Sequence, residues 1–323
     1  MKRLAFIIVL LPVGALLALT VGAADIANIW SHVLNPFQDV NTSAHQIIWQ
    51  IRAPRIAAAI LVGASLGIAG VLAQGSTNNP IADPAILGTS AGASLGVLIG
   101  VLFNVVSIGT FGAVIFAAIG ALLATILSFS LARSALQLIT IGIGVSAILS
   151  AIVGLTLSMI SRPDARSVSF WSFGSLALVT PRVLWVLAPV FLIASLCAWK
   201  IAPTLDLLSL GDASVRHMGH DAQRIRLRAF SLLAVLVAVT VSSVGSIAFL
   251  ALAAPHIARY INGPRNRALV IYSGAIGALI LLGADTAARA VLPPHELPIG
   301  LLTSLIGAPI LIATLKKGGD VWR

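Results

Sequence analysis

Gly88-Thr-Ser-Ala-Gly92 spells G-x-S-x-G, the sequence of a nucleophile elbow in which a strained turn presents a serine hydroxyl to a general base. His256, far along the chain, is the imaginable base for Ser90. An elbow needs a strand that runs through a turn into a helix. Here the pentapeptide follows a loop broken at Pro80 and Pro84 and opens a glycine-rich apolar run. Small residues at this spacing suit helix packing equally well, so an intramembrane serine hydrolase is the weakest of the readings.

Asp285 is the acid set well inside an apolar block, and carboxylates there are candidates for proton or ion relays. Arg289 lies one helical turn further on, so a local i,i+4 ion pair accounts for the aspartate without transport chemistry. A proton-coupled secondary transporter using Asp285 stays as the alternative, although such carriers usually need more buried ionisable groups. The four lysines are Lys2, Lys200, Lys316 and Lys317, and none stands in a G-x-x-x-x-G-K-[ST] loop. The chain has no ATPase motif of its own, and active transport would draw on a partner subunit or an ion gradient. One cysteine, Cys197, excludes an internal disulfide, and six scattered histidines give no metal-ligand spacing, so no cofactor or metal is expected in this chain.

The elements that must position these residues are read from composition. Of 323 residues 59% are hydrophobic and 9% charged, too little charge to cover a soluble protein of this size. A crossing takes about 20 apolar residues. Apolar blocks run approximately 4–24, 56–74, 84–103, 110–131, 138–160, 171–199, 225–244, 245–261, 268–290 and 299–315, which predicts ten helices, the seventh and eighth divided only at Gly245. The predicted class is an all-α polytopic bundle forming a single domain over 1–323. Lys2 and Arg3 ahead of an apolar run resemble a signal peptide, with Val21-Gly-Ala-Ala24 as a passable cleavage site. The run is long for a signal core and is read as an uncleaved first helix.

With the N-terminus cytoplasmic, Lys2, Arg3, Arg133, Lys200, Arg216, Arg224, Arg226, Arg228, Arg259, Arg265, Arg267, Lys316, Lys317 and Arg323 fall inside. Arg52, Arg55, Arg162, Arg166, Arg182 and Arg289 fall outside, a 14 to 6 division that favours ten crossings and two cytoplasmic termini. The net charge of +10 is thus a topology signal, and no nucleic-acid partner is expected. Glycines at four-residue spacing, Gly63/Gly67 and Gly88/Gly92/Gly96/Gly100, predict close helix contacts.

Three segments stand out. Arg52-Ala-Pro-Arg55 opens the second helix against the charge trend, with phosphate anchoring as the plain alternative. Gln74 to Pro84 forms a polar turn shaped by two prolines. Gly211 to Arg228 is the longest polar stretch and offers a handle for a soluble partner; its basic end, Arg224 to Arg228, reads mainly as anchoring at the membrane surface.

Arg52-Ala-Pro-Arg55, Leu61 to Gly70, Gln74, Asn79-Pro-Ile-Ala-Asp-Pro84 and Ile86 to Ala93 together resemble the opening signature of FecCD-type permeases. Leu210-Gly-Asp, Pro255-His-Ile-Ala-Arg259, Ala284 to Arg289, Glu296 to Gly300 and Ile306 to Pro309 continue the likeness in order and spacing. These are inner-membrane subunits of ATP-binding cassette importers for ferric siderophores, haem and vitamin B12. The resemblance implies a type II importer permease of about ten helices that pairs with a second copy or paralogue. It also implies two cytoplasmic ATPase subunits that bind ATP-Mg, and an extracytoplasmic substrate-binding protein.

By position, the resemblance makes Arg52, Arg55 and Arg289 the docking residues for that binding protein. It places the ATPase coupling segment at about 203–223, carried by Gly211, Asp212, Ala213, Arg216, His217, Met218, Gly219 and His220. Asn79, Pro80 and Ile81 correspond to the inner narrowing of the pathway. One departure is visible: where the family shows a Gly-Phe-Val-Gly-Leu type of stretch before Pro-His, this chain reads Ile247-Ala-Phe-Leu-Ala-Leu-Ala-Ala254. Losing two glycines is expected to stiffen or separate the helices there.

Overall fold

A bilayer offers backbone amides no partner, so a chain this apolar must satisfy them within helices. The computed structural model describes residues 2–22, 26, 29–35, 42–108, 110–132, 134–159, 168, 171–291 and 297–317, and these contain no strand. Ala23, Ala24, Arg133, Arg162, Arg166, Glu296 and Arg323, which enter the sequence reading, lie outside the described residues.

Helix α1 is Lys2–Thr20, α2 is the short Ile29–Leu34, and α3 is the long Ser43–Thr77. Then come α4 (Thr89–Leu102), α5 (Phe111–Leu131), α6 (Ala135–Met159) and α7 (Pro181–Leu208). The short α8 (Asp212–His217) precedes α9 (Ala222–Val244), α10 (Leu250–Asn262), α11 (Asn266–Ala290) and α12 (Ile299–Lys317). Among the described residues six spans are long and apolar enough to cross a membrane: Ser43–Thr77, Phe111–Leu131, Gln137–Met159, Pro181–Leu208, Ala222–Val244 and Asn266–Ala290. The protein is an all-α, multi-pass membrane protein. Shorter apolar helices cover Val9–Thr20, Thr89–Leu102 and Ile299–Pro309.

The centre of the bundle is α3. Its most apolar window is 83% buried, against 17% for those of α6 and α7, whose outer faces carry Ile143, Ile148, Leu155, Trp185 and Ile193 in the open. Glycines set how closely α3 meets its neighbours. A Cβ on Gly67 would lie 2.1 Å from the Ser273 carbonyl oxygen of α11, and one on Gly63 2.4 Å from that of Gly277. Between α4 and α5 the same relation holds for Gly92 and Gly120 and for Gly96 and Phe116. In lipid no hydrophobic force joins helices, so backbone-to-backbone packing of this kind supplies the attraction.

The separation of helices expected at Ile247–Ala254 is not seen where α3 meets α10. A Cβ on Gly70 of α3 would lie 1.8 Å from the Ala251 carbonyl oxygen, so the close approach of α3 and α10 is made by the glycine on the opposite helix. The division at Gly245 is a real break. Gly245 has φ +77°, and Phe249 enters α10 at φ +63°. The Ser175 amide donates to the Val244 carbonyl at 2.8 Å, while the Ile299 and Gly300 amides at the start of α12 donate to Gly174 and Phe173 at 3.0 and 3.1 Å. The Val244 carbonyl at the end of α9 and the first amides of α12, which have no partner within their own helices, are thereby paired inside the protein.

Candidate functional site

Both ends of α3 carry polar machinery. At its first turns the chain must accommodate Pro54, which has no amide hydrogen. It does so by widening: Ile47–Arg52 is a π-helical stretch, and the Ala53 amide donates to the Ile48 carbonyl five residues back. Arg52 and Arg55, three apart and so on one face, then point into the bundle. Arg55 Nε reaches Asp285 Oδ1 at 2.8 Å, and Arg289 Nε lies 3.1 Å from Asp285 Oδ2. Arg52 donates to the Leu19 carbonyl at 2.6 Å, and Arg289 donates to the carbonyls of Val21 and Ala18 at 2.6 and 3.2 Å.

Arg52, Arg55 and Arg289 are thus brought together, as one cluster with Asp285 at the C-terminal end of α1. They are buried, at 4%, 5% and 6% exposure, with Asp285 at 0%. The carbonyls they cap are those left unpaired at the end of a helix, where a cation also meets the negative end of the dipole. The i,i+4 pair of Asp285 and Arg289 is present, and Arg55 from α3 adds a second, tertiary partner.

At the opposite end, α3 stops at Asn78, which takes a left-handed φ of 50°. Asn79 organises the turn: its side-chain oxygen accepts from the Ile81 amide at 3.1 Å and its carbonyl from the Ala82 amide at 3.2 Å. Pro80 stiffens the turn and Ile81 stands exposed at its tip. Asp83 caps the next short helical turn through the Ala85 amide at 2.8 Å. Burial pushes its carboxyl up from the ordinary carboxylate range, against the pull of that amide.

The stretch that the resemblance marks for coupling lies at this same end. From Gly211 to His220 every residue is exposed except Val215, which is fully buried. Asp212, Ala213, Arg216 and His217 lie on α8, followed by Met218, Gly219 and His220. Gly211 and Gly219 flank α8 at φ +85° and +80°, conformations that favour glycine. Asp221 caps α9 by accepting from the Gln223 and Arg224 amides.

Arg226, in the basic end expected mainly to anchor the chain at the membrane surface, has a tertiary role as well. It is no plain surface anchor: its guanidinium grips Asp212 at 2.7 and 2.9 Å and donates to the Ser76 carbonyl in the last turn of α3 at 3.2 Å. Hydrogen bonding to Arg226, with its charge, holds the Asp212 carboxyl below the ordinary range. Two further tethers were missed: Arg259 of α10 donates to Gln74 Oε1, and Asp206 Oδ1 accepts from the Asn266 amide and side chain at 3.0 and 2.8 Å. Only tertiary pairing reveals them. A cavity of about 930 Å³ opens beside α8, lined among others by Ser134, Asp212, Arg216, His220, Arg226 and Phe230.

The hydrolase reading fails on setting. Gly88, at φ +82°, joins the 3₁₀ turn Pro84–Leu87 to α4, and Gly92 packs on the Gly120 carbonyl. No strand leads into Ser90 among the described residues. No cluster of potential metal ligands occurs among them either.

Residues 8–317 match the FecCD transport family. This chain is a member of that family. The FecCD chain is 35% identical to the iron(3+)-hydroxamate import system permease protein FhuB of Bacillus subtilis, over 95% of its own length and 81% of that protein's. It is 33% identical to the hemin transport system permease protein HmuU of Yersinia pestis, over 96% and 93%. A solved inward-facing structure of a metal-chelate type ABC transporter superposes with a TM-score of 0.86 at 30% identity, covering 98% of this chain and 99% of that one. This FecCD protein is the membrane permease subunit of an ABC importer, a transport subunit and not an enzyme.

Proposed function

We propose that this permease moves a ferric siderophore, or the related chelates haem or cobalamin, across the cytoplasmic membrane by alternating access. The observation that carries the reading is the full-length likeness to a metal-chelate transporter, together with relatives named for iron hydroxamate and hemin. In this reading the chain crosses ten times, α1, α4, α10 and α12 being the shorter crossings, and both termini are cytoplasmic. Two copies, or this chain and a paralogue, enclose the pathway, and the exposed apolar faces of α6 and α7 leave room for a partner and for lipid.

The arginine cluster is the outer end and receives acidic residues of the substrate-binding protein. Because Arg52, Arg55 and Arg289 are already engaged, docking is an exchange of partners: incoming carboxylates compete with Asp285 and with the carbonyls of Ala18, Leu19 and Val21. The α8 segment, within the single domain's stretch at 203–223, is the coupling element for two ATPase subunits that bind ATP-Mg. The Asn79–Ile81 turn narrows the inner end of the pathway. Arg226 joins these two parts, so movement of α8 is passed to the end of α3. ATP drives the change only by binding one arrangement better than the other.

The test is reconstitution with the cognate ATPase and binding protein in proteoliposomes, following radiolabelled ferric siderophore, haem and cobalamin. Uptake that needs internal ATP and the binding protein is expected. Uptake that survives without ATP and collapses with the proton gradient would instead establish the proton-coupled alternative. The ion pairing of Asp285 with two arginines speaks against that alternative.

A further inference from the structure

A second hollow, of about 530 Å³, opens on the side of the bundle between α1, α3, α7 and α11. Its walls include Leu11, Ile60, Ile68, Phe191, Val270 and Ala275. The one hydroxyl there, Ser195, already donates to the Leu192 carbonyl at 3.0 Å. The α11 wall runs from Val270 to Ala278, about 12 Å at 1.5 Å per residue. That is close to one leaflet of hydrocarbon, roughly 15 Å. An apolar hollow of this kind holds water poorly, and hydrocarbon entering it gains the dispersion contacts that its walls otherwise lack.

One end of the hollow is chemically distinct. Trp199 lines it, and the Arg267 guanidinium carbon sits 3.9 Å from the centre of a Trp199 ring. Trp at a membrane interface marks the headgroup level. Lys200 follows Trp199 in sequence and Arg265 precedes Arg267 by two, and all three cations are exposed. The nearby acid, Asp206, is occupied by the Asn266 amide and side chain, which also fixes the start of α11. An apolar slot about one leaflet deep thus ends at Trp199 and the Arg267 guanidinium stacked on it, with Lys200 and Arg265 exposed close by in sequence.

We propose that this groove is a binding site for one anionic glycerophospholipid, with an acyl chain in the hollow and the phosphate held by Arg267 beside Lys200 and Arg265. A zwitterionic lipid would fit the slot but gain little from the cations. A second copy of the chain could cover the same face, and the experiment separates these cases.

The test is native mass spectrometry of the detergent-purified full assembly, titrated with phosphatidylglycerol or phosphatidylcholine of identical acyl chains. Tighter, saturable binding of phosphatidylglycerol is expected. Arg267→Gln should weaken that preference about fivefold, the contribution of one basic side chain at an anionic surface. Arg267→Lys should retain it, and Ala275→Phe should weaken both lipids by filling the slot. Equal binding of the two lipids by the wild type, or an unchanged preference in Arg267→Gln, overturns the proposal. So does unchanged binding of both in Ala275→Phe, or efficient crosslinking of two copies through Ile271→Cys.

Discussion

Arg55 on α3 and Asp285 on α11, 230 residues apart in sequence, form a buried ion pair with Nε and Oδ1 2.8 Å apart. Arg289 takes the other carboxylate oxygen at 3.1 Å. In a chain so poor in charge, this one aspartate joins two long helices and neutralises part of a three-arginine cluster. Charges within a membrane protein persist where they are paired and functional.

Removing the carboxylate should therefore cost more than its own contacts. Asp285→Ala leaves two guanidiniums facing each other, and the loss is expected at about 3–5 kcal/mol, the usual consequence of breaking a buried pair from one side. Thermal unfolding in detergent measures it. Asp285→Asn, which keeps an acceptor, should fall between wild type and Ala and leave any residual uptake dependent on ATP.

Docking tests need the same caution. Glutamate at Arg55 or Arg289 would place a carboxylate against Asp285, so loss of folding would imitate loss of docking. Arg52 donates to the Leu19 carbonyl, and Arg52→Gln brings no new carboxylate to Asp285, which makes it the cleaner test. Arg52→Gln is expected to weaken capture of the binding protein in a pull-down by several-fold, with a melting temperature lowered by the lost buried hydrogen bond but folding retained. A large loss of stability with unchanged capture would assign Arg52 to structure alone.

The glycine contacts make a matched pair of predictions. Gly67→Ala puts a methyl within 2.1 Å of the Ser273 carbonyl oxygen, backbone that cannot step aside, and should destabilise by about 1–3 kcal/mol. Gly283→Ala on α11 meets nothing within 4 Å and should be neutral or stabilising by up to about 1 kcal/mol. Melting temperatures of the two variants in one detergent decide it.

Two carboxyls give pH dependences of opposite sign. Asp212 is held below its ordinary value, so its contact with Arg226 contributes above about pH 4 and is lost only as pH falls through the depressed value. Being well exposed, it contributes little to stability. Asp83 is raised, so the fold favours its neutral form; stability is fully present in acid and declines as pH rises through the raised value. Asp83→Asn, which keeps an acceptor for the Ala85 amide, should melt higher than wild type at pH 8, with the difference shrinking toward pH 4.

Most of the architecture was legible because lipid forces it. Apolar length gives the helices, and four-residue glycine spacing gives their closest contacts. The arginines at 52, 55 and 289 were legible as a set only by resemblance, since nothing local brings residues on α3 and α11 together. Their burial was not legible: charge at a helix end reads as exposed unless the acid between them is known to be shared. Arg226 was hidden for a related reason. One arginine among four in a basic stretch looks like topology until Asp212 and the Ser76 carbonyl are seen on either side of it. The departure at Ile247–Ala254 misled because a close contact needs one small residue, and Gly70 supplies it from the other helix.

The suspension of α8 has a mechanical consequence. Gly211 and Gly219 bracket it at positive φ with open space around both, Val215 is the buried side chain between them, and Asp212 is clamped by Arg226. In the proposed coupling role such a mounting works as a lever and not as a loose hinge: a push on the exposed face leaves through the Arg226 clamp toward α9 and the last turn of α3, as a crank hands its stroke to a shaft.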